Sequence, residues 1–172
     1  MQDSRGTPAT DRLLYLVNRV ARALNRAAED VAAGLGVALP EFMTLLVLGE
    51  GEPLSNATLA RRTFVTSQAA HQVVTALVDR GLVERTVDPG DRRKIAYSLT
   101  DRGWDLLSRG RATLDELEAR VRAGMDASRR DVLGPALLDA AMTLRGGWFG
   151  DEAAEAASAA RRATGQRRRL SS

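Results

Sequence analysis

A chain of 172 residues is long enough for one ordinary domain with a sizeable core and too short for two independent ones. Hydrophobic residues at 44% and charged residues at 27% are globular values that exclude wholesale disorder, and the lack of cysteine excludes disulfides, thiol catalysis and thiolate metal sites. A single histidine, His71, argues against the common His-based catalytic and metal clusters, while all-carboxylate magnesium chemistry stays open by counting; with no Gly-rich phosphate-binding loop either, no cofactor, metal or enzymatic reaction is expected. The formal charge of +3 is unevenly spread: Arg161, Arg162, Arg167, Arg168 and Arg169 lie in the acid-free stretch 161–172, while residues 1–160 carry 20 basic against 22 acidic groups. Net charge therefore does not identify a partner; only its distribution can. Met1 to Thr10 holds no apolar stretch of signal-peptide type, and the apolar run around Leu45 to Leu48 is too short to span a bilayer. A cytoplasmic protein with no membrane partner is expected.

The first periodic segment runs from about Asp11 to Leu35. Leu13, Leu16, Val17, Val20, Leu24, Ala27, Ala28 and Val31 recur at helical spacing between charged residues, and Gly34 and Gly36 end the pattern. A shorter helix starts with Pro40 and Glu41 in its first turn, carries Phe42, Leu45, Leu46 and Leu48, and stops at Gly49 and Gly51. Two helices follow in quick succession. Ser55 or Asn56 caps the first, which runs through Leu59 and Ala60 to about Thr63; Thr66 caps the second, which runs to Arg80 and ends at Gly81. So short a connection, with Ala70, Val73, Val74 and Leu77 on one face of the second helix, is the helix-turn-helix pattern.

Leu82 to Val87 is β-prone, Asp88-Pro89-Gly90-Asp91 has turn chemistry, and Ile95, Tyr97 and Leu99 alternate with Lys94, Ala96 and Ser98. A hairpin directly after a helix-turn-helix is the winged-helix arrangement, and its tip carries Arg92, Arg93 and Lys94. Thr100 caps a long helix from about Asp101 to Met125, lined by Trp104, Leu107, Leu114, Leu117 and Val121. Another helix passes through Val132, Leu133, Leu137, Leu138, Ala141 and Leu144 to Gly146 and Gly147, with Pro135 either setting or kinking it. Beyond Gly150, Asp151, Glu152 and Glu155 precede Arg161 and Arg162 in an order suited to a marginal helix, and disorder is expected from Thr164.

Asp91-Arg92-Arg93, followed by Leu99-Thr100 and Gly103, resembles the wing motif of the multiple-antibiotic-resistance regulator (MarR) family of winged-helix transcription factors. Gly81-Leu82-Val83-Glu84-Arg85 is similar to that family's exit from the recognition helix, and Leu59-Ala60 fits the preceding helix. The element order from about Thr10 to Arg145 agrees. The resemblance implies a mostly α fold with a small β-hairpin. It places a winged helix-turn-helix unit at 8–148, with its DNA-binding core at about 39–103 and dimerisation helices at about 10–35 and 101–146; the basic extension at 149–172, partly helical or disordered, lies past the usual family length. It further implies a bacterial, sequence-specific regulator, more often a repressor, that binds a pseudo-palindromic operator in double-stranded DNA as a homodimer and is relieved by a small aromatic or anionic ligand. A winged-helix module that binds protein or RNA is the alternative. Two departures stand out: His71-Gln72 replaces the Thr-Arg of many relatives, and Phe64 occupies the tight turn where glycine or a small residue is frequent.

A helix in the major groove reads bases through polar side chains near its N-terminus, and Ser67, Gln68, His71 and Gln72 lie in the first two turns of the second helix of the pair. Gln72 suits adenine, Ser67 suits phosphate or base, and simple solvent exposure is the alternative for all four. The resemblance assigns Arg93 to a narrow minor groove with Asp91 orienting it, while Arg92 and Lys94 meet phosphates. Arg61 and Arg62, at the end of the preceding helix, are further candidate phosphate contacts. For an effector cleft between the dimer helices and the winged unit, Tyr15, Asn18, Arg22 and Met43 are the candidate lining.

Overall fold

The computed structural model describes residues 8–88 and 91–143, with backbone alone at 88 and 91–94. After a 3-10 turn at Ala9–Asp11, α1 spans Leu13–Gly34, α2 Leu39–Leu48, α3 Asn56–Arg62 and α4 Ser67–Asp79. The strands β1 (Val83–Asp88) and β2 (Asp91–Leu99) follow, then α5 (Asp101–Ala123) and α6 (Ala127–Thr143). The expected order is thus observed over this range, and the segment beyond 143, including the expected helix end at Gly146 and the extension at 149–172, lies outside the described residues.

The chain chemistry accounts for the helix starts. Ser55 Oγ accepts from the Thr58 backbone N–H at 3.2 Å, Thr66 Oγ1 from Ala69 at 3.2 Å, and Thr100 Oγ1 from Gly103 at 3.1 Å. Of the two cap candidates for α3, Ser55 therefore holds the position. At α2, Pro40 sits in the first turn and the Glu41 carboxylate reaches back to the Ala38 N–H at 2.7 Å. Gly81, at φ +67°, ends α4 as a left-handed glycine should.

The core gathers around α2. Phe42, Leu45 and Leu48 are fully enclosed with Leu59 of α3, Val74 and Leu77 of α4, Val83 of β1 and Leu107 of α5. Burying a side chain of this size stabilises by roughly 1.5–3 kcal/mol, which makes this winged unit the best-anchored part of the described residues. The N-terminal half of α1 and all of α6 contribute nothing to it: Leu13, Leu14, Leu16, Val17, Val20 and Leu24, with Val132, Leu137 and Met142, face solvent.

The hairpin pairs Val83 with Leu99, Arg85 with Tyr97 and Val87 with Ile95 in antiparallel register. It is longer than the alternation suggested, because β2 begins at Asp91 rather than near Ile95. A third strand position joins it: Leu54 and Tyr97 exchange backbone hydrogen bonds of 3.0 and 2.9 Å. Pro135 lies well inside α6, whose first residue is Ala127, so it does not set the start of that helix.

Candidate nucleic-acid interface

The recognition-type helix α4 is fixed from its buried side. Ala70, Val74 and Leu77 pack into the core at spacings of four and three, and Ser67, Gln68, His71 and Gln72 lie outside that stripe, all four exposed. The structure therefore brings together the four polar residues expected there, on the first two turns of one helix.

A contact that the sequence did not reveal holds the start of α4 against the start of α3. Asn56 Nδ2 donates to the Ser67 carbonyl at 2.9 Å and to Ser67 Oγ at 3.1 Å. A carbonyl can only accept, so the amide nitrogen must face Ser67. With its oxygen accepting from Asn56, the Ser67 hydroxyl keeps its own hydrogen for donation outward. Asn56 is visible in the sequence as a candidate helix cap, but the cap falls to Ser55 and the amide serves Ser67 instead.

The two arginines of α3 separate. Arg61 is exposed and its Nη2 donates to Thr58 Oγ1 at 3.3 Å, so it stands where a phosphate contact was expected. Arg62 does not: its side chain is 8% exposed and ion-paired with Glu50 beyond the end of α2. The expectation of a phosphate contact is corrected for Arg62, because a guanidinium turned inward to a carboxylate is unavailable to a polyanion outside.

The turn between α3 and α4 is strained. Phe64 has φ +61°, the one non-glycine residue in the left-handed region among the described residues, a conformation that costs roughly 1–2 kcal/mol for a residue with a Cβ. This explains why glycine suits the position. Its ring is 60% exposed and, with Ala57, Ala60, Arg61, Val65, Thr66 and Ser67, lines an open cleft of about 470 Å³.

The root of the hairpin is locked to both neighbouring helices. Thr100 Oγ1 donates to the Gly81 carbonyl at 2.8 Å while capping α5, and the Thr100 N–H bonds the Leu82 carbonyl at 3.2 Å. A Cβ on Gly103 would collide with that same Leu82 carbonyl, so the Leu-Thr and glycine portions of the wing motif are a close-packed joint. The backbone puts Asp91, Arg92, Arg93 and Lys94 at the distal start of β2; their side chains lie outside the described residues.

Arg80 ties the far end of α4 to the corner between α1 and α2, donating to Glu41 Oε2 at 3.1 Å and to the Gly36 carbonyl at 2.8 Å. Arg111 of α5 donates to the Gly49 carbonyl at the other end of α2 at 2.8 Å. Periodicity carries no sign of these three bonds, since all join residues distant along the chain.

The four residues expected to line an effector cleft lie on two helices. Tyr15, Asn18 and Arg22 are exposed along one face of α1, and the Asn18 amide is spent on the Leu14 carbonyl at 2.8 Å. Met43 is half-buried on α2, which leaves α1 at an angle of 86°. Among the described residues no group of three or more His, Asp or Glu side chains could hold a metal ion, and no single helix is long and apolar enough to cross a membrane.

Comparison with known proteins agrees with this geometry. The profile of the MarR family matches residues 35–94. The sequence is 36% identical over 116 residues to the HTH-type transcriptional repressor Rv2887 of Mycobacterium tuberculosis, an alignment that spans 67% of this chain and 84% of that protein. A crystal structure of the M. tuberculosis MarR family protein Rv2887 in complex with p-aminosalicylic acid matches with a TM-score of 0.62 at 34% identity, covering 73% of this chain and 95% of that one. Its complex with DNA matches with a TM-score of 0.61 at 34% identity, over 73% and 94%.

Proposed function

The chain belongs to the MarR family, and from that membership we propose that it is a homodimeric, sequence-specific DNA-binding repressor of transcription, acting in the cytoplasm without catalysing a reaction. The observation that carries the reading is α4: a capped helix, anchored by Ala70, Val74 and Leu77, that presents Ser67, Gln68, His71 and Gln72 to solvent beside a basic hairpin. Base edges in the major groove are read by such donor and acceptor groups, with Gln72 suited to adenine. Arg61 serves as a phosphate contact, Arg93 enters the minor groove with Asp91 orienting it, and Arg92 and Lys94 meet phosphates. We take residues 8–148 as the regulatory unit and 149–172 as a basic extension.

The apolar residues exposed on α1 and α6 supply the dimer surface, since so many large apolar side chains left in water mark an interaction site. A two-fold pair presents two copies of α4 to half-sites about 34–36 Å apart. Rv2887 has been crystallised with salicylic acid as well as with p-aminosalicylic acid, so a small aromatic carboxylate is the effector class we assign. A ligand that favours a spacing of the two α4 helices unmatched to DNA lowers operator affinity by population shift.

Selection of duplexes from random DNA with the purified protein tests the reading directly. Enrichment of one pseudo-palindromic sequence, bound in a salt-dependent way, is expected; equal binding to all sequences, or none, would overturn it in favour of a protein- or RNA-binding module. On the enriched duplex, Arg93→Ala should weaken binding by about 1–3 kcal/mol with the dimer intact. Titrating salicylate into the complex should release DNA, and unchanged affinity at saturating salicylate would remove that ligand from the effector class.

A further inference from the structure

We propose that Arg80 is a positioning residue that fixes the separation of the two α4 helices in the dimer, and so makes the protein selective for the spacing between half-sites; this rests on the dimeric, DNA-binding reading above. Arg80 is the C-cap of α4, directly before Gly81 turns the chain toward the hairpin. Its Nη1 donates to Glu41 Oε2 at 3.1 Å and its Nη2 to the Gly36 carbonyl at 2.8 Å, so one planar fork spans the turn after α1 and the first turn of α2. Both acceptors are themselves fixed. Glu41 Oε2 also accepts from the Ala38 N–H at 2.7 Å, which ties it to the start of α2. Gly36, at φ +71°, is closed onto α1 by the Schellman pair: its N–H bonds the Ala33 carbonyl at 2.9 Å, and the Val37 N–H bonds the Ala32 carbonyl at 3.0 Å. The Arg80 fork therefore links α4 to the end of α1 through rigid partners.

Packing and fork contribute differently. Ala70, Val74 and Leu77 hold α4 on the core by apolar contact, whose strength follows buried area; the fork adds direction, because N–H···O bonds weaken steeply when misaligned. Arg80 is 40% exposed, and a surface ion pair adds little to folding stability, so its bonds bear on where α4 points more than on whether the chain folds. From Ser67 to Arg80 the helix measures about 20 Å at 1.5 Å per residue, and a tilt of about 10° shifts one end against the other by about 3.5 Å. One base pair rises by about the same distance, roughly 3.4 Å. Two protomers joined through α1 thus present their base-reading residues at a single spacing only while α4 keeps its angle to α1.

The probe is the duplex enriched by selection with the full-length protein, together with the same duplex carrying one base pair added or removed between its half-sites. The wild-type protein should bind the altered spacings roughly tenfold or more weakly, comparable to misreading one base pair. In Arg80→Ala the ratio between native and altered spacing should shrink roughly fivefold, the factor that one hydrogen bond typically carries. Base preference within a half-site should stay that of the wild type, because Ser67, Gln68, His71 and Gln72 lie toward the other end of α4. Arg80→Lys keeps the charge but not the fork and should fall between the two, and it carries the test should the alanine variant not fold. An unchanged spacing ratio in the variants overturns the inference whatever happens to overall affinity, since a merely structural loss or a lost phosphate contact weakens every duplex alike. A wild-type protein indifferent to spacing, or a variant with altered base preference within the half-site, also overturns it while leaving DNA recognition standing. Failure of the selection itself would sink the DNA-binding reading and this inference with it.

Discussion

At the scale of single residues, adjacent side chains of one type have opposite duties. Arg61 and Arg62 are consecutive, so the helix turns them about 100° apart, and that rotation sends one to solvent and the other into the core. Arg62 reaches Glu50 and braces α3 against the end of α2; Arg61 stays at the surface near the start of α4. Arg61→Ala should therefore lower operator affinity and reduce the slope of log affinity against log salt by about 1 per protomer, with the melting temperature unchanged. Arg62→Ala should do the reverse, lowering the melting temperature because the largely buried ion pair with Glu50 is lost. Salt titrations and thermal unfolding of the two variants side by side check the assignment, and a loss of stability in Arg61→Ala would contradict it. The sequence could not distinguish the pair. Both read as basic residues at a helix end, and the burial of Arg62 depends on Glu50, twelve positions away and across a loop.

At the scale of elements, the local rules carried far and failed where partners come from elsewhere. The caps Thr66 and Thr100 and the stop at Gly81 were legible because each depends on chemistry within a few residues. Leu54 was not, since a single residue pairing with Tyr97 shows no alternation to read. Asn56 lies between these cases: its type was visible, its partner eleven residues on was not. That partner matters for recognition, because an amide bonded to both the carbonyl and the hydroxyl of Ser67 fixes the crossing of α3 and α4 and the direction of the hydroxyl hydrogen. Asn56→Ala should weaken operator binding by roughly 1 kcal/mol, the net worth of a typical hydrogen bond. Ser67→Ala made on top of it should then cost less than Ser67→Ala alone. A double-mutant cycle on the selected duplex measures the coupling, and strictly additive losses would show that Asn56 acts on the fold and not through Ser67.

At the scale of the whole molecule, the core and the charge lie in different places. The enclosed side chains belong to the winged unit, and the apolar residues exposed on α1 and α6 are the surface proposed above for the dimer. The charge divides in the same way. Residues 61–102, which span α3's last turn, α4 and the hairpin, hold eight basic against five acidic groups, whereas 1–160 as a whole is net −2. A dimer doubles the local excess on the face that carries α4, so an acidic body does not prevent approach to DNA. The five arginines of 161–172 stand apart from this scheme: no base-reading element contains them, and their charge adds ten cations per dimer. Their attraction to phosphate depends on charge and not on sequence. Each phosphate neutralised contributes about 0.9 to the salt slope of duplex binding, and the base preference set by α4 owes nothing to it. A protein truncated after Gly150 should accordingly bind the selected duplex more weakly at low salt, with a shallower slope, and prefer the same bases as the full chain. Affinity measured over a range of salt for selected and scrambled duplexes decides the matter. A truncated protein with an unchanged slope would show that the tail does not touch DNA, and one with a changed base preference would place the tail in the readout itself.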